Sequence, residues 1–231
     1  MKKTKQPCDL KSCMFCKCCL PAWLPAIDAN RQVFQVKKGE RLFSEGEVML
    51  GIYFVYQGTV KVHKQWGSEK ELIVRFAKKG DILGHRGLGK DNIYPISATA
   101  LDAVTVCYIP LDFFLSSLKV NDDLIMQLLF FFAEELKLSE QKMRNLAHMP
   151  VKGRLAQALL SLKEKFGLAE EGYINILLSR QDLAAYSGTT YETVFRILAE
   201  LNEQKIISVD GKKISILDSA ALSKQKADAG L

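Results

Sequence analysis

The sequence predicts an α+β protein composed of an N-terminal β-roll, a long helix and a C-terminal winged helix-turn-helix. In the first half of the chain, glycines recur between short β-prone runs. A stretch free of proline and glycine follows, at residues 121–148. Near the C terminus, two helical segments flank Ser187-Gly188-Thr189 and precede an Asp210-Gly211 hairpin signal.

The length of 231 residues suits two modest domains. A formal net charge of +6 permits nucleic-acid binding, although many other soluble proteins share such a charge. The most apolar run, residues 128–133, is too short to span a bilayer, and no apolar segment follows the basic N terminus. We therefore expect a cytoplasmic protein with no membrane contact, in a compartment where clustered cysteines more often bind metals than form disulfides.

Residues 1–29 form a cysteine-rich segment. Five of the six cysteines lie in the first nineteen residues, and the sixth is Cys107; the five are Cys8, Cys13, Cys16, Cys18 and Cys19. Two overlapping Cys-x-x-Cys spacings place thiolates close together, as an iron–sulfur cluster or a zinc ion requires. A thiol redox switch is an alternative, and Cys107 taken alone is typical of a small buried strand residue.

Residues 30–120 are predicted to form the roll. Gly39, Gly46, Gly58, Gly67 and Gly80 fall where turns would join short strands. The β-prone runs between and after them are residues 52–55, 59–62, 72–74 and 104–109. Short strands at such regular spacing are typical of a sandwich or rolled barrel.

Residues 121–149 are predicted to form a dimerisation helix. Asn121, Asp122 and Asp123 provide a start signal and an acidic first turn. Residues spaced alternately four and three apart define a coiled-coil stripe, and six of these seven heptad positions are apolar: Ile125, Leu129, Phe132, Leu136, Ser139, Met143 and Leu146. The alternative is a long helix that packs only on its own domain.

Residues 150–231 are predicted to form the winged helix-turn-helix. Met149-Pro150 ends the long helix, and a second helix spans residues 152–166. Residues 173–177 alternate like a strand, and two further helices are predicted at 179–186 and 190–204. The hairpin around Asp210-Gly211 would supply the wing.

Local signals predict which residues of this motif face outward. Ser179 and Asp182 form a near capping box, Gly188 supplies a left-handed turn, and Thr190 caps the second helix. Val194, Ile197, Leu198 and Leu201 form its buried stripe. The candidate DNA-binding residues are those left at the outer face or the helix start: Thr189, Thr190, Tyr191, Glu192, Phe195 and Arg196.

Glu192 and Arg196 are four residues apart on this helix. In a major groove, the glutamate can accept a hydrogen bond from cytosine and the arginine can pair with guanine. The same pair on an ordinary helix would be a surface ion pair of a few tenths of a kcal/mol. Within the helix-turn-helix pattern we favour base reading.

These motifs resemble the Crp/Fnr superfamily of bacterial transcriptional regulators over nearly the whole chain. The resemblance is carried by KKGERLFSEGE, IYFVYQGTVKV and KKGDILG in the roll, by the long helix, and by ETVFR in the second helix of the motif. It implies a cyclic-nucleotide-binding-type roll, a homodimer paired through the long helices, a double-stranded DNA palindrome as the target, and RNA polymerase as a partner.

Family members that bind cyclic nucleotides carry a Gly-Glu-Leu triplet and, further on, an Arg-Ser pair that grips the phosphate. Here the corresponding residues are Gly84-His85-Arg86 and the Tyr94-Pro95-Ile96-Ser97 segment. The ribose-binding glutamate and the phosphate-binding arginine are both missing, and losing a charge-assisted bidentate contact costs much affinity. We therefore expect that cyclic AMP is not the ligand.

The cysteines resemble those of the oxygen-sensing Fnr-type members. Cys107 lies where these members carry the fourth ligand of their cluster, and Cys19-Leu20-Pro21 looks like the end of their ligand loop. The resemblance implies a 4Fe-4S cluster on Cys13, Cys16, Cys19 and Cys107, with response to oxygen, redox state or nitric oxide. The N-terminal spacing departs from the Fnr-type pattern, so Cys8 or Cys18 could replace Cys13 or Cys19.

Three other readings compete with this one. A regulator of the same family could sense haem or another small ligand through its roll, with the cysteines binding zinc or acting as a thiol switch. A regulatory subunit of an enzyme or transporter could use a similar roll but would not need a helix-turn-helix. The third alternative is an enzyme, but the sequence offers no candidate nucleophile or acid–base pair. The spacing of His63, His85 and His148 matches no metal-binding motif, so we interpret them as structural or surface residues.

Overall fold

The computed structural model describes residues 1–4, 9–67 and 70–226. The chain divides into two compact units, Met1–Glu135 and Leu136–Leu231, and the boundary falls inside one long helix. Within this described part of the chain, no helix is both long enough and apolar enough to cross a membrane.

The first unit contains two antiparallel sheets that form the predicted roll. Its strands are β1 (Lys2–Thr4), β2 (Gln32–Val36), β3 (Arg41–Phe43), β4 (Gly51–Gln57), β5 (Val60–Trp66), β6 (Lys70–Ala77), β7 (Ile82–Leu83), β8 (Ser97–Ala100) and β9 (Val104–Pro110). One sheet has the order β1-β2-β9-β4-β7 and the other β3-β8-β5-β6. The four predicted runs correspond to β4, β5, β6 and β9.

Strands β4 and β9 lie side by side in the first sheet and are buried along most of their length. Such continuous burial is typical of strands covered on both faces. Short helices supply part of the cover: α1 (Met14–Cys18), α2 (Leu24–Asn30) and α3 (Leu111–Leu118). These helices have no signal in the sequence, because five to eight residues are too few for a periodic pattern to emerge.

The long helix, α4, spans Asp122–His148 and so begins one residue after the predicted start. Asp122 and Asp123 occupy its acidic first turn, as expected. Leu124 and Leu128 are buried in the core of the roll. This burial anchors the first two turns of α4 on the first unit.

The second unit has the predicted order of helix, helix-turn-helix and hairpin. Its elements are α5 (Val151–Phe166), α6 (Arg180–Ser187), α7 (Tyr191–Glu203), β10 (Ile207–Asp210), β11 (Lys213–Ile216) and α8 (Ser219–Lys224). Helix α5 ends at Gly167, as predicted. The short α8, of six residues, was not predicted from the sequence.

The strand predicted at residues 173–177 is wrong. The segment makes one isolated bridge, between Leu168 and Ile174. Ile174 N–H donates to the Ile214 carbonyl, but Ile176 N–H then donates to the carbonyl of Ile174 only two residues back, at 2.6 Å. That bond turns the chain, so the alternating side chains never form a ladder with a neighbour.

Candidate functional site

Helix α6 begins with the predicted capping box. Asp182 N–H donates to Ser179 Oγ at 3.0 Å, and Ser179 N–H donates to Asp182 Oδ2 at 3.2 Å. These bonds satisfy two of the backbone donors that a helix start leaves unpaired. The first helix of the motif therefore starts at a fixed residue.

Gly188 makes the turn between α6 and α7 in the left-handed region, with φ of 66° and ψ of 49°. A Cβ on this residue would lie 2.4 Å from Leu146 Cδ2, so a side chain is excluded by contact as well as by conformation. Arg154 of α5, which the sequence analysis missed, donates to the Ser187 carbonyl at 2.9 Å and the Gly188 carbonyl at 3.1 Å. Leu146 and Arg154 therefore restrain the turn.

Helix α7 has the predicted cap and buried stripe. Thr190 Oγ1 accepts from Thr193 N–H, and the four stripe residues are buried. Of the six candidate DNA-binding residues, Thr189 is half-buried and the other five are exposed: Thr190, Tyr191, Glu192, Phe195 and Arg196. The fold therefore presents a continuous outward surface at the start of α7.

Glu192 is ionised on this surface. Hydrogen bonds from its own backbone and from Thr190 lower the pKa of the carboxyl below its usual 4.5. Over the part of the chain that the structure describes, no ion pair joins Glu192 to Arg196. The carboxylate and the guanidinium are both exposed and do not neutralise each other.

The β10–β11 hairpin lies beside the two helices of the motif. Arg180, the first residue of α6, donates to the Gly211 carbonyl at the hairpin tip at 2.7 Å. Val209 N–H donates to the side chain of Asn202 near the end of α7 at 3.0 Å. Lys212 and Lys213 add positive charge at the tip. The hairpin is therefore positioned as a basic wing.

The heptad positions of α4 fall into two groups. Ile125, Leu129, Leu136 and Met143 are exposed in the single chain. Phe132, Ser139 and Leu146 are half-buried. Phe132 lies against His85 and Leu146 against Gly188, so these two also pack within their own units. Further exposed apolar side chains on the helix, which the heptad pattern did not include, are Met126, Phe130 and Leu138.

The four cysteines predicted as ligands are all buried in the core of the first unit. Cys13 precedes α1, Cys16 lies within it and Cys19 follows it. Cys107 in β9 pairs directly with Phe54 in β4, and directly opposite residues project from the same side of a sheet. The ring of Phe15 lies 5.5 Å from that of Phe54. Helix α1 therefore covers the sheet face that carries Cys107, named here the cysteine face.

The thiols near α1 influence one another. Burial, with Cys18 and Cys13 nearby, raises the pKa of Cys19 to about 12. Burial and the carboxylate of Asp123 raise the pKa of the half-buried Cys18. Over residues 1–4, 9–67 and 70–226, no three His, Cys, Asp or Glu side chains are grouped closely enough to hold a metal ion. Cys8 lies outside the described residues.

The chain that follows Cys19 is bonded to the start of α4. Leu20 N–H donates to the buried side chain of Asn121 at 2.7 Å. Trp23 Nε1 donates to Ser117 Oγ at 3.0 Å, and its indole stacks on Phe113. The cysteine segment, the end of α3 and the first turn of α4 are therefore one connected assembly within the first unit.

A charged cluster lies where the resemblance locates the cyclic-nucleotide site. Glu135 of α4 accepts from Arg86 at 2.6 Å, and its Oε2 lies 3.8 Å from Arg75 Nε and 3.7 Å from His85 Nε2. Burial raises the pKa of Glu135, but His85, Arg75 and Arg86 outweigh it and hold that pKa far below 4.5. His85 is buried beside Glu135, whereas His148 is exposed.

The second segment of that site is also engaged within the chain. Tyr94 Oη donates to the Gly51 carbonyl at 2.8 Å, and Ser97 Oγ accepts from Glu45 N–H at 2.9 Å. Both side chains are buried. Neither presents a cation to a phosphate.

Comparison with known proteins agrees with this architecture. A family model described as a cyclic nucleotide-binding domain matches residues 33–121, and one described as a Crp-like helix-turn-helix domain matches residues 153–225. The solved structure of FixK2 from Bradyrhizobium japonicum has a TM-score of 0.77 and 26% identity, covering 87% of this chain and 99% of that one.

Two relatives that match most of the chain are transcriptional regulators. The transcriptional activator protein anr of Pseudomonas aeruginosa is 28% identical over 221 residues, covering 92% of this chain and 90% of that protein. The cAMP-activated global transcriptional regulator CRP of Salmonella typhimurium is 31% identical over 180 residues, covering 76% of this chain and 84% of that protein. With a nucleotide-binding-type roll, a long helix and a Crp-like helix-turn-helix in one chain, this protein belongs to the Crp/Fnr family of DNA-binding transcriptional regulators.

Proposed function

We propose that the protein is an iron–sulfur-dependent regulator that binds a DNA palindrome as a homodimer and responds to oxygen, nitric oxide or redox state. The observation that carries the proposal is the cysteine face. Three cysteines around α1 and Cys107 of β9, which lie about ninety residues apart in sequence, share one buried core. RNA polymerase is the expected partner at a regulated promoter.

The cysteine face fits a cluster by the chemistry of its donors. A 4Fe-4S cluster takes four thiolates, and Cys13, Cys16, Cys19 and Cys107 supply that number. Burial, more than the neighbouring thiols, raises the pKa values of Cys18 and Cys19, so these thiols are protonated unless a cation draws them together as thiolates. When bound, a cluster supplies the positive charge that these thiolates need and a centre that reacts with oxygen or nitric oxide.

The residues next to the cysteines connect this site to the long helix. Asn121 and Ser117 hold Leu20 and Trp23, so a shift of the cysteine segment pulls on the first turn of α4. The same helix carries exposed apolar side chains at its heptad positions, among them Leu129, Leu136 and Met143. Ordering of the cysteine segment thereby favours pairing of two α4 helices.

Pairing of the two α4 helices in a dimer determines whether DNA is bound tightly. A dimer places two α7 helices in successive major grooves, about one helical turn apart, as palindromic half-sites require. Glu192 and Arg196 read one G·C pair in each half-site, and the basic wing contacts phosphates. A monomer has only one reading helix and loses this paired geometry.

Cyclic AMP is not the ligand in this proposal. Glu135 already occupies Arg86, the one cation that the Gly84-His85-Arg86 triplet offers. Ser97 and Tyr94 are committed to backbone groups of their own unit. Within these two described segments, a cyclic phosphate would find no arginine that is not already engaged by Glu135.

The test is the iron and sulfide content of protein purified without oxygen. We expect a brown protein with about four irons and four sulfides per chain. Cys107→Ser is expected to lose the cluster although the N-terminal cysteines remain, whereas Cys18→Ser, the matched control, retains it.

Other outcomes separate the alternatives. Colourless protein with zinc and no labile sulfide would support a zinc site, and a Soret band that survives Cys107→Ser would support haem. A colourless preparation that stays free of iron after reconstitution and still binds DNA fully would reject the cluster.

A further inference from the structure

Phe195 is a large apolar side chain on the outward surface of α7. The buried stripe of this helix consists of Val194, Ile197, Leu198 and Leu201. Phe195 lies off that stripe and is 59% exposed. The packing of the second unit therefore gives no reason for an aromatic residue at this position.

The neighbouring ring of Tyr191 leaves most of the Phe195 ring accessible. The rings of Tyr191 and Phe195 lie 6.4 Å apart with an interplanar angle of 19°, near the outer limit for an aromatic pair. At about 100° per residue, Phe195 projects between Tyr191 and Glu192 around the helix. It thus stands beside the polar pair Glu192 and Arg196, in the half of α7 that a recognition helix brings to base edges.

The chemistry of the major groove limits what such a ring can contact. Base edges there present hydrogen-bond donors and acceptors, and the exception is the C5-methyl group of thymine. A phenyl ring gains dispersion and apolar burial against a methyl group and nothing comparable against a polar edge.

We propose that Phe195 is a specificity-determining residue that reads the C5-methyl group of a thymine beside the G·C pair read by Glu192 and Arg196. The inference rests on the proposed base-reading role of α7. Tyr191 supports one side of the ring, so that Phe195 meets the methyl group with little loss of side-chain freedom.

A competing explanation assigns Phe195 to helix stability. An aromatic pair four residues apart stabilises a helix by a few tenths of a kcal/mol without any partner. That role predicts a weak and uniform effect on all DNA sequences. The two explanations differ in whether removing one methyl group from the DNA matters.

The experiment begins with a site selected by the wild-type dimer from a random-sequence duplex pool. Each thymine of the selected half-site is then replaced by deoxyuridine, which removes the C5-methyl group and retains base pairing. We expect the substitution at one thymine to weaken binding about fourfold when it is made in one half-site. The same substitution in both half-sites should weaken binding about fifteenfold, because each half-site loses one buried methyl group.

The variants assign that loss to the side chain. Phe195→Ala is expected to bind the thymine and uracil duplexes equally, and Phe195→Leu to keep part of the difference. The matched control is Leu217→Ala, which truncates a side chain 58% exposed in the same unit but outside α7 and should keep the full difference.

Three results would overturn the inference. One is a wild-type protein indifferent to every uracil substitution, and another is a Phe195→Ala variant with the wild-type methyl dependence. Failure to select any sequence would overturn it together with the proposed DNA reading. The protein could instead select a site at which affinity depends on Arg196 and a G·C pair but not on any thymine methyl group. That result would reject the role of Phe195 and leave the rest of the proposal standing.

Discussion

The helix-turn-helix of the second unit and the cysteine face of the first unit are specified over different distances along the chain. Ser179, Asp182, Gly188 and Thr190 lie within twelve residues, and each acts on backbone groups close by. Cys107 shares a core with α1 because β9 and β4 place it opposite Phe54, on which Phe15 stacks. Local chemistry therefore determines the helix-turn-helix, and tertiary packing creates the proposed sensing site.

The largest expected effect separates the local and the tertiary contributions at the glycine turn. Gly188→Ala forces a β-carbon into the left-handed region and into contact with Leu146, and we expect a loss of about 3 kcal/mol in unfolding free energy. Gly172→Ala is the matched control, because Gly172 also has a positive φ, of 81°, but open space around it. It should lose about 1 kcal/mol. Equal losses in chemical denaturation would show that the contact with Leu146 is unimportant.

The next effect tests the tertiary side. Glu135→Gln leaves Arg75 and Arg86 without their shared carboxylate, and we expect a loss of about 2 kcal/mol in unfolding free energy, less than for a fully buried pair because the site is partly exposed. Glu140→Gln changes an exposed glutamate on the same helix and should stay within about 0.5 kcal/mol of the wild type. Urea denaturation measures both. A neutral Glu135→Gln would mean that the cluster adds no stability.

The reading surface predicts a smaller, sequence-dependent effect. Arg196→Ala should weaken binding to the selected palindrome roughly tenfold and relax the preference at one G·C pair, because a bidentate contact to guanine is lost. Affinity for random DNA should change far less. Equal losses on specific and random duplexes would reassign Arg196 to phosphate contact.

A modest pH dependence follows from buried His85. Burial, with Arg75 and Arg86 nearby, lowers the pKa of His85 below its usual 6.5, so the folded protein holds this ring neutral. The unfolded chain takes up the proton once the pH falls below about 6.5, and stability is therefore lost toward acid. We expect the Tm of the wild type to fall as the pH is lowered from about 7 to about 5.5. The fall should be smaller in His85→Gln, and in the control His148→Gln it should equal that of the wild type. The same fall in all three proteins would show that His85 does not cause the loss of stability toward acid.

The difference in range also explains which features were predictable from the sequence. The capping box, the glycine turn, the hairpin and α4 follow from residues within a few turns of one another. The short helices α1, α2 and α3 have no periodic signal, and Arg154 acts across thirty-three residues to reach the Ser187 carbonyl. The residues 173–177 alternate like a strand but find no ladder partner, since pattern alone does not supply a neighbour.

The Glu135 cluster illustrates the same point. The triplet Gly84-His85-Arg86 is visible in the sequence. The partner of Arg86 is not visible there, because Glu135 is forty-nine residues further along the chain. Only the fold brings the carboxylate to the two arginines.

The most direct test of the account is the affinity for the selected palindrome of one anaerobic sample, measured before and after air is admitted, with iron content followed in parallel. The cysteine face is proposed to control pairing of α4 and therefore DNA reading by α7. We predict that iron loss and a fall in affinity proceed together, and that Cys107→Ser has the low affinity from the start. Iron lost with no change in affinity would contradict control of DNA binding by the cysteine face.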